Sequence, residues 1–458
     1  MTKKRLGLKT LNWLEAMSDS REELEILYDT DEVSVCTGTS RIMSRQVVFY
    51  AIKPQVQQGF ICSKGAEEIC RIMDKAFELK CPVIGFLASP GVSVSEGIES
   101  GHAYTKVITK NIQYSGVIPQ ISVIVNTTMG APAYTATLTD FVLFNKTRST
   151  LMVTGPNVIQ SLLGQQTSLK DLGGSAIHRE KTGIADFVDQ NIETQILRLR
   201  RLIYFLNFKQ PKLKRPSVTP VARLPEIPAD PKIVFDMLKL VDALVDASEY
   251  MSYRHDYGKA IFCLFAYIQG HPVGIVANNS FCNGGAIDYL AAKKFSRFVK
   301  ICDAYEIPLI TLIDVPGFMP GEEQEHNGLL QAGASLCQSI QTRVPRFSVV
   351  IRKCYGAAAY LMMQTKAQGG NGVLALETAR IAIMGYEAAK NMFSDKFQVF
   401  SEAEYFKKYE DPQIALQAKI VDEIVKKNEI REKLISLIST HNYSRENLNN
   451  SREHLIIP

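Results

Sequence analysis

Arg343-Val344-Pro345-Arg346-Phe347-Ser348-Val349-Val350-Ile351-Arg352-Lys353-Cys354-Tyr355-Gly356-Ala357-Ala358-Ala359-Tyr360 is the stretch on which the reading of the fold turns. Pro345 punctuates a turn, residues 347–351 form an apolar run of strand length, and small residues follow where backbone can approach a ligand. An earlier stretch repeats it: Val117-Ile118-Pro119-Gln120-Ile121-Ser122-Val123-Ile124-Val125-Asn126-Thr127-Thr128-Met129-Gly130-Ala131-Pro132-Ala133-Tyr134. The two align without a gap, since 345 − 119 and 356 − 130 are both 226. Residues 82–91 (PVIGFLASPG) fall on residues 308–317 (PLITLIDVPG) at the same offset. Strand, Pro-Gly turn, strand and Gly-Ala turn recur at one spacing, so the chain reads as two copies of one α/β unit.

A chain of 458 residues suits two domains of that size. Six of the 19 prolines (Pro211, Pro216, Pro220, Pro225, Pro228 and Pro231) crowd residues 211–231. Such a run holds neither a helix nor a central strand, which divides the chain into domains 1–215 and 226–458. Hydrophobic residues at 46% and charged residues at 22% are ordinary for a globular protein. A formal net charge of +5 is too small to argue for a nucleic-acid partner. Nine cysteines with no Cys-x-x-Cys pair read as thiols rather than disulfides or a zinc site. The start lacks the apolar core of a signal peptide, and the apolar runs are too short to span a bilayer. The expectation is a cytoplasmic protein with no membrane segment.

Residues 1–45 read as peripheral. A strand is expected at 45–52, and a helix at 64–79 with Ile69, Ile72, Met73 and Phe77 on one face. A strand at 83–87, a helix at 95–109 and a strand at 121–125 follow. In the second copy, helices are expected at 233–246, 290–305 and 329–341, with strands at 260–268, 272–277, 309–313 and 347–351. The tail from Asn442 is polar. This alternation belongs to crossover α/β folds.

Gly130-Ala131 and Gly356-Ala357-Ala358 each follow a buried strand and precede a helix. Such a turn presents backbone N–H groups that stabilise negative charge on a carbonyl-derived oxygen. The same small residues also suit a simple close approach of strand and helix, and the residues alone leave both readings open. Ser89-Pro90-Gly91 and Val315-Pro316-Gly317 close paired strands at the end that borders the crevice in open α/β sheets, or are plain tight turns. The seven histidines show no metal-ligand spacing, and no Gly-x-Ser-x-Gly elbow or Walker loop occurs. His178 and His326 read as hydrogen-bonded structural residues, and Asp314 as a cap or turn residue.

Ile313-Asp314-Val315-Pro316-Gly317-Phe318-Met319-Pro320-Gly321, followed by Gln324-Glu325 and Gly333-Ala334, resembles the signature of biotin-dependent carboxyltransferases. These are the β-type subunits of propionyl-CoA and acetyl-CoA carboxylases. Leu138-Thr139-Asp140-Phe141, Val153-Thr154-Gly155-Pro156, Gly274-Ile275-Val276-Ala277-Asn278-Asn279, and Gly173-Gly174 with His178, Glu180, Lys181 and Gly183 match as well. The resemblance spans about residues 44–425. It implies two tandem crotonase-like domains, the first an acyl-CoA half and the second a biotin half.

The implied reaction carries CO2 from carboxybiotin to the α-carbon of an acyl thioester, on coenzyme A or an acyl carrier. Negative charge then develops on the biotin ureido oxygen and on the thioester oxygen. By resemblance, Gly130 and Ala131 hold the thioester enolate, and Ala357 and Ala358 the biotin oxygen. Ser89, Pro90, Gly91, Tyr134 and Leu361 are expected against the acyl group, and Pro316, Gly317, Phe318 and Gly356 against biotin. No side-chain base or metal is demanded. The chain has no Met-Lys-Met site, so biotin is expected on a separate carrier protein, alongside a biotin carboxylase subunit. The resemblance also implies a homo-oligomer, a dimer or hexamer. The departures are Pro90, Val92 and Ser93, then Pro132 and Leu361, then His326-Asn327, together with a depleted glycine-rich loop near Gly59. They cluster on the acyl side, which keeps open a decarboxylase on the same scaffold or an inactive structural paralogue.

Overall fold

The computed structural model describes residues 8–206, 218–393 and 400–441. The described residues form two compact units, 8–206 and 218–441. The expected domain limit at residue 215, with Pro211 and Pro216, and the polar tail from Asn442 lie outside the described residues.

The first unit holds strands β1 (Glu25–Tyr28), β2 (Val35–Ile42), β3 (Arg45–Ile52), β4 (Val83–Leu87), β5 (Gln120–Ile124), β6 (Thr127–Met129), β7 (Phe141–Asn145), β8 (Thr150–Met152) and β9 (Phe187–Asp189). Seven make one sheet in the order β1-β2-β3-β4-β5-β7-β9, while β6 and β8 pair with each other. The sheet is antiparallel from β1 to β3 and parallel beyond. Every residue of β4, β5 and β7 is buried, as expected of parallel strands covered on both faces.

The second unit holds β10 (Tyr250–Tyr253), β11 (Ile261–Ile268), β12 (His271–Asn278), β13 (Leu309–Val315), β14 (Arg346–Tyr355), β15 (Gly372–Leu376), β16 (Arg380–Ala382) and β17 (Glu423–Val425). The order is β10-β11-β12-β13-β14-β15-β17, with β16 beside the end of β14. Leu264, Ile275, Leu312, Val349 and Leu374 anchor its core, and Leu240, Leu244 and Leu434 cover them from helices.

The duplication holds residue for residue. β2 and β11, and β3 and β12, begin and end 226 residues apart (261 − 35, 271 − 45). Val48 pairs with Val83 as Gly274 pairs with Leu309, and Val83 pairs with Gln120 as Leu309 pairs with Arg346. Gly59 and Gly285 share a left-handed turn, with φ of 81° and 88°. A Cβ there would lie 2.7 and 2.6 Å from the carbonyl oxygens of Ala88 and Asp314, so only glycine fits both sites. The common register ends after the helices Ala131–Leu138 and Gly356–Met363. Ile121 pairs with Phe141 but Phe347 with Gly372, an offset of 231 (372 − 141) in place of 226.

Several expectations change. β2, read as peripheral, lies inside the first sheet with Val35, Cys36 and Ile42 fully buried. Its small polar centre, Thr37 to Ser40, is buried by pairing with β3 and hides the strand from an apolar pattern. The helix expected at 95–109 is Ile98–Tyr114, because Gly97 breaks the backbone at φ 58°. The helix expected at 233–246 is Met237–Leu244, begun by Asp236, whose side chain accepts from Leu238 N–H. In the helix Ser63–Leu79, Ile69, Ile72 and Met73 are buried, but Phe77 is exposed and stacks on Tyr114 at 4.8 Å. No helix among the described residues is long and apolar enough to cross a membrane.

Candidate active site

The first candidate turn follows β6. Gly130 takes φ 69° and ψ −142°, a region closed to side chains, and starts the helix Ala131–Leu138. The opening N–H groups of a helix have no acceptor inside it, but here most are committed elsewhere. Gly130 N–H donates to Val153 O at 3.1 Å, and Ala133 N–H folds back on Gly130 O at 3.0 Å. Pro132 has no N–H. Ala131 is the remaining donor. The expectation of a Gly130-Ala131 donor pair is thereby corrected: Gly130 turns the chain and Ala131 presents the N–H.

The Ser89-Pro90-Gly91 turn abuts this one, since a Cβ on Gly130 would sit 3.6 Å from Gly91 Cα. Ser89 was expected to meet substrate; instead it is fully buried, and its hydroxyl is held between Gly59 O (2.8 Å) and Gly91 O (3.1 Å). It shapes the turn from within. Pro90 is half-buried, while Gly91 is buried at φ 137° and its carbonyl accepts from Ile61 N–H at 3.0 Å. Tyr134, one helical turn beyond Ala131, is 52% exposed.

The second turn follows β14, which runs to Tyr355 rather than stopping at Ile351. Gly356 has φ 66°, matching Gly130, and begins the helix Gly356–Met363. No proline interrupts this first turn, so Gly356, Ala357 and Ala358 each bring an N–H to the helix end. Ala357 is exposed and Ala358 buried. Leu361, expected against the acyl group, is buried at 8% exposure. Pro316, Gly317 and Phe318 are half-buried, Gly317 with φ 141°. Ile287 N–H reaches Gly317 O as Ile61 N–H reaches Gly91 O.

Asp314 is neither a cap nor a turn residue. It lies in β13, where the pairing with β14 shifts register, and its side chain is 1% exposed. Its carboxylate accepts from Arg352 Nη2 (2.6 Å) and Nε (3.1 Å), and pairs with Lys353 Nζ at 3.0 Å. Arg352 also donates to Ile233 O at 2.6 Å, and Lys353 Nζ to Pro231 O at 3.1 Å. Burial pushes the Lys353 ammonium below the usual lysine range, with Asp314 opposing. These charges brace β14 three and four residues before Gly356. The sequence reading missed them, although the repeat held the clue. Asp314, Arg352 and Lys353 fall on Ala88, Asn126 and Thr127 of the first copy, so the charges belong to one copy only.

His178 is structural, as read: its Nε2 lies 2.7 Å from Leu151 O and its Nδ1 2.9 Å from Thr182 Oγ1. Burial lowers its pKa below the ordinary histidine value, with the hydrogen bond to Leu151 O opposing. His326 differs from the reading, being exposed and 3.9 Å from Glu322. Between His178 and Tyr134 lies an apolar cavity of about 430 Å³, which the sequence did not signal. Among the described residues no cluster of three His, Cys, Asp or Glu side chains is placed to hold a metal ion.

The carboxyl transferase domain family matches residues 15–455. The carboxyltransferase subunit of propionyl-CoA carboxylase from Haloferax mediterranei is 33% identical over 420 residues, covering 88% of this chain and 81% of its own. The methylmalonyl-CoA decarboxylase subunit alpha of Propionigenium modestum is 32% identical over 449 residues, covering 94% and 86%. Among solved structures, the transcarboxylase 12S hexamer with methylmalonyl-coenzyme A bound aligns with a TM-score of 0.89 at 28% identity, covering 96% and 92%. The fold is thus shared along nearly the whole length, and the chain belongs to the carboxyl transferase domain family, enzymes that move a carboxyl group between biotin and an acyl-CoA thioester.

Proposed function

We propose that the two copies are crotonase-like domains, 1–215 and 226–458, the first binding the acyl-CoA and the second the biotin. The carrying observation is the pair of glycines 226 residues apart, Gly130 and Gly356, whose φ of 69° and 66° each start a helix at a strand end. A reaction that develops negative charge on two different oxygens needs two sets of donors, and a duplicated turn supplies them. Ala131 N–H stabilises the thioester oxygen as its α-carbon gains carbanion character. Ala357 and Ala358 N–H face the ureido oxygen of biotin, with Pro316, Gly317, Phe318 and Gly356 beside the ring. Small, partly exposed residues at this helix end suit a flat ring brought in from outside. Biotin, delivered on a separate carrier protein, supplies the carboxyl group and the base. The chain's own part is to bind, orient and hold charge.

The working assembly on this reading is a dimer or hexamer of this chain in the cytoplasm, served by a biotin carboxylase and a biotin carrier. Leu162 and Leu163, 76% and 73% exposed on the helix Pro156–Leu163, give apolar surface for such an assembly to cover. A decarboxylase is the second reading, favoured by the decarboxylase subunit that aligns over 94% of this chain. Mass spectrometry of malonyl-CoA and methylmalonyl-CoA incubated with the protein and a biotinylated carrier tests both. Carboxyl transfer to the carrier is the expected result. Loss of CO2 without biotin supports the decarboxylase, and no consumption of either thioester leaves only a structural role.

A further inference from the structure

We propose that the apolar cavity of the first unit receives the hydrocarbon tail of the acyl-CoA, and that the substrate carries a chain several carbons longer than propionyl. This rests on the assignment of the first unit to the acyl-CoA. The cavity measures about 430 Å³, whereas roughly 150 Å³ is enough to hold benzene. A propionyl group would leave most of it empty.

Its walls are Leu151, Met152, Ile159, Leu172 and Ile184, with Tyr134 and Val153 exposed at 52% and 59%. Thr154 and Tyr134 are exposed members of the lining, and the other polar side chains offer little to a polar guest. Thr137 donates its hydroxyl to Tyr134 O at 2.9 Å, and both nitrogens of His178 are engaged within the protein. The amide groups of a pantetheine arm would lose water there and gain few partners. A hydrocarbon loses nothing, and each methylene buried is favourable.

Position ties the cavity to the reacting end. Val153 lines it and also accepts from Gly130 N–H, and Ala133 lines it from within the first helical turn. Ala131 and Tyr134 are three residues apart on one helix and so share a face. A thioester oxygen at Ala131 therefore starts its acyl chain beside the residues of the cavity.

Titration calorimetry of the full chain with free CoA, propionyl-CoA, hexanoyl-CoA and octanoyl-CoA tests this. The dissociation constant should fall by up to about fourfold per added methylene. Leu172→Trp and, separately, Ile184→Phe fill the cavity. Each should abolish the length dependence, so that hexanoyl-CoA and octanoyl-CoA bind no more tightly than propionyl-CoA, and the second variant guards against misfolding of the first. Equal wild-type affinity for propionyl-CoA and octanoyl-CoA overturns the pocket and leaves the acyl-CoA assignment standing. Length dependence retained in both folded variants puts the tail elsewhere and also overturns it. No binding of any CoA ester removes the assignment itself.

Discussion

Asp314 and Arg352 form an ion pair of 2.6 Å between neighbouring strands, with side chains only 1% and 3% exposed. Arg352 keeps its charge when its partner is lost, so it would be left buried and uncompensated. Asp314→Leu should cost about 3–5 kcal/mol by urea denaturation. The triple variant with Arg352→Met and Lys353→Met, which leaves neither cation buried without its carboxylate, should recover much of that loss. A single variant as stable as the wild type would show that the pair contributes little.

Ala358→Pro deletes one N–H from the second turn at a first-turn helix position, where proline is tolerated best. Turnover should fall by about 10²–10³, the usual effect of losing one oxyanion donor, with the circular dichroism spectrum unchanged. A folded variant with near-full turnover would remove Ala358 from the donor set.

Gly130→Ala and Gly356→Ala each force a side chain into left-handed backbone. The new Cβ atoms would meet nothing closer than 3.6 and 3.7 Å, so the penalty is torsional rather than a clash. Each should cost about 1–3 kcal/mol in chemical denaturation. Carboxyl transfer should fall further than the stability loss explains, because both helix ends shift. Loss of stability without loss of transfer would separate the glycines from the site.

His178 gives a pH dependence of known sign. Burial holds its folded pKa below the ordinary value of 6.5, so the unfolded chain takes up the proton first on acidification. Its stabilising contribution is complete above about pH 6.5 and declines as pH falls from there through the lower folded value. The stability difference between wild type and His178→Gln, measured from pH 7 to pH 5, should therefore shrink with acid. A difference independent of pH would mean that the ring titrates alike in both states.

The duplication was legible in the sequence because strand, turn and helix each leave a local mark. Pro119 and Pro345, the apolar runs behind them, and Gly130 and Gly356 recur at one offset whatever else has diverged. The strand pairings from β2 to β5 and from β11 to β14 follow that offset residue for residue, since register depends on which residues face the core. β2 escaped notice because its burial comes from its neighbour and not from its own composition. The assignment of donors depended wholly on tertiary structure: whether an N–H is free is set by the chain segment lying against it. Val153, 23 residues beyond Gly130 (153 − 130), takes that N–H, which makes Ala131 the candidate donor of this turn. Likewise, Asp314 looked like a turn residue until β14 laid Arg352 and Lys353 beside it. Local backbone preference is written along the chain, whereas hydrogen-bond partners and charge compensation arise only between segments that folding brings together.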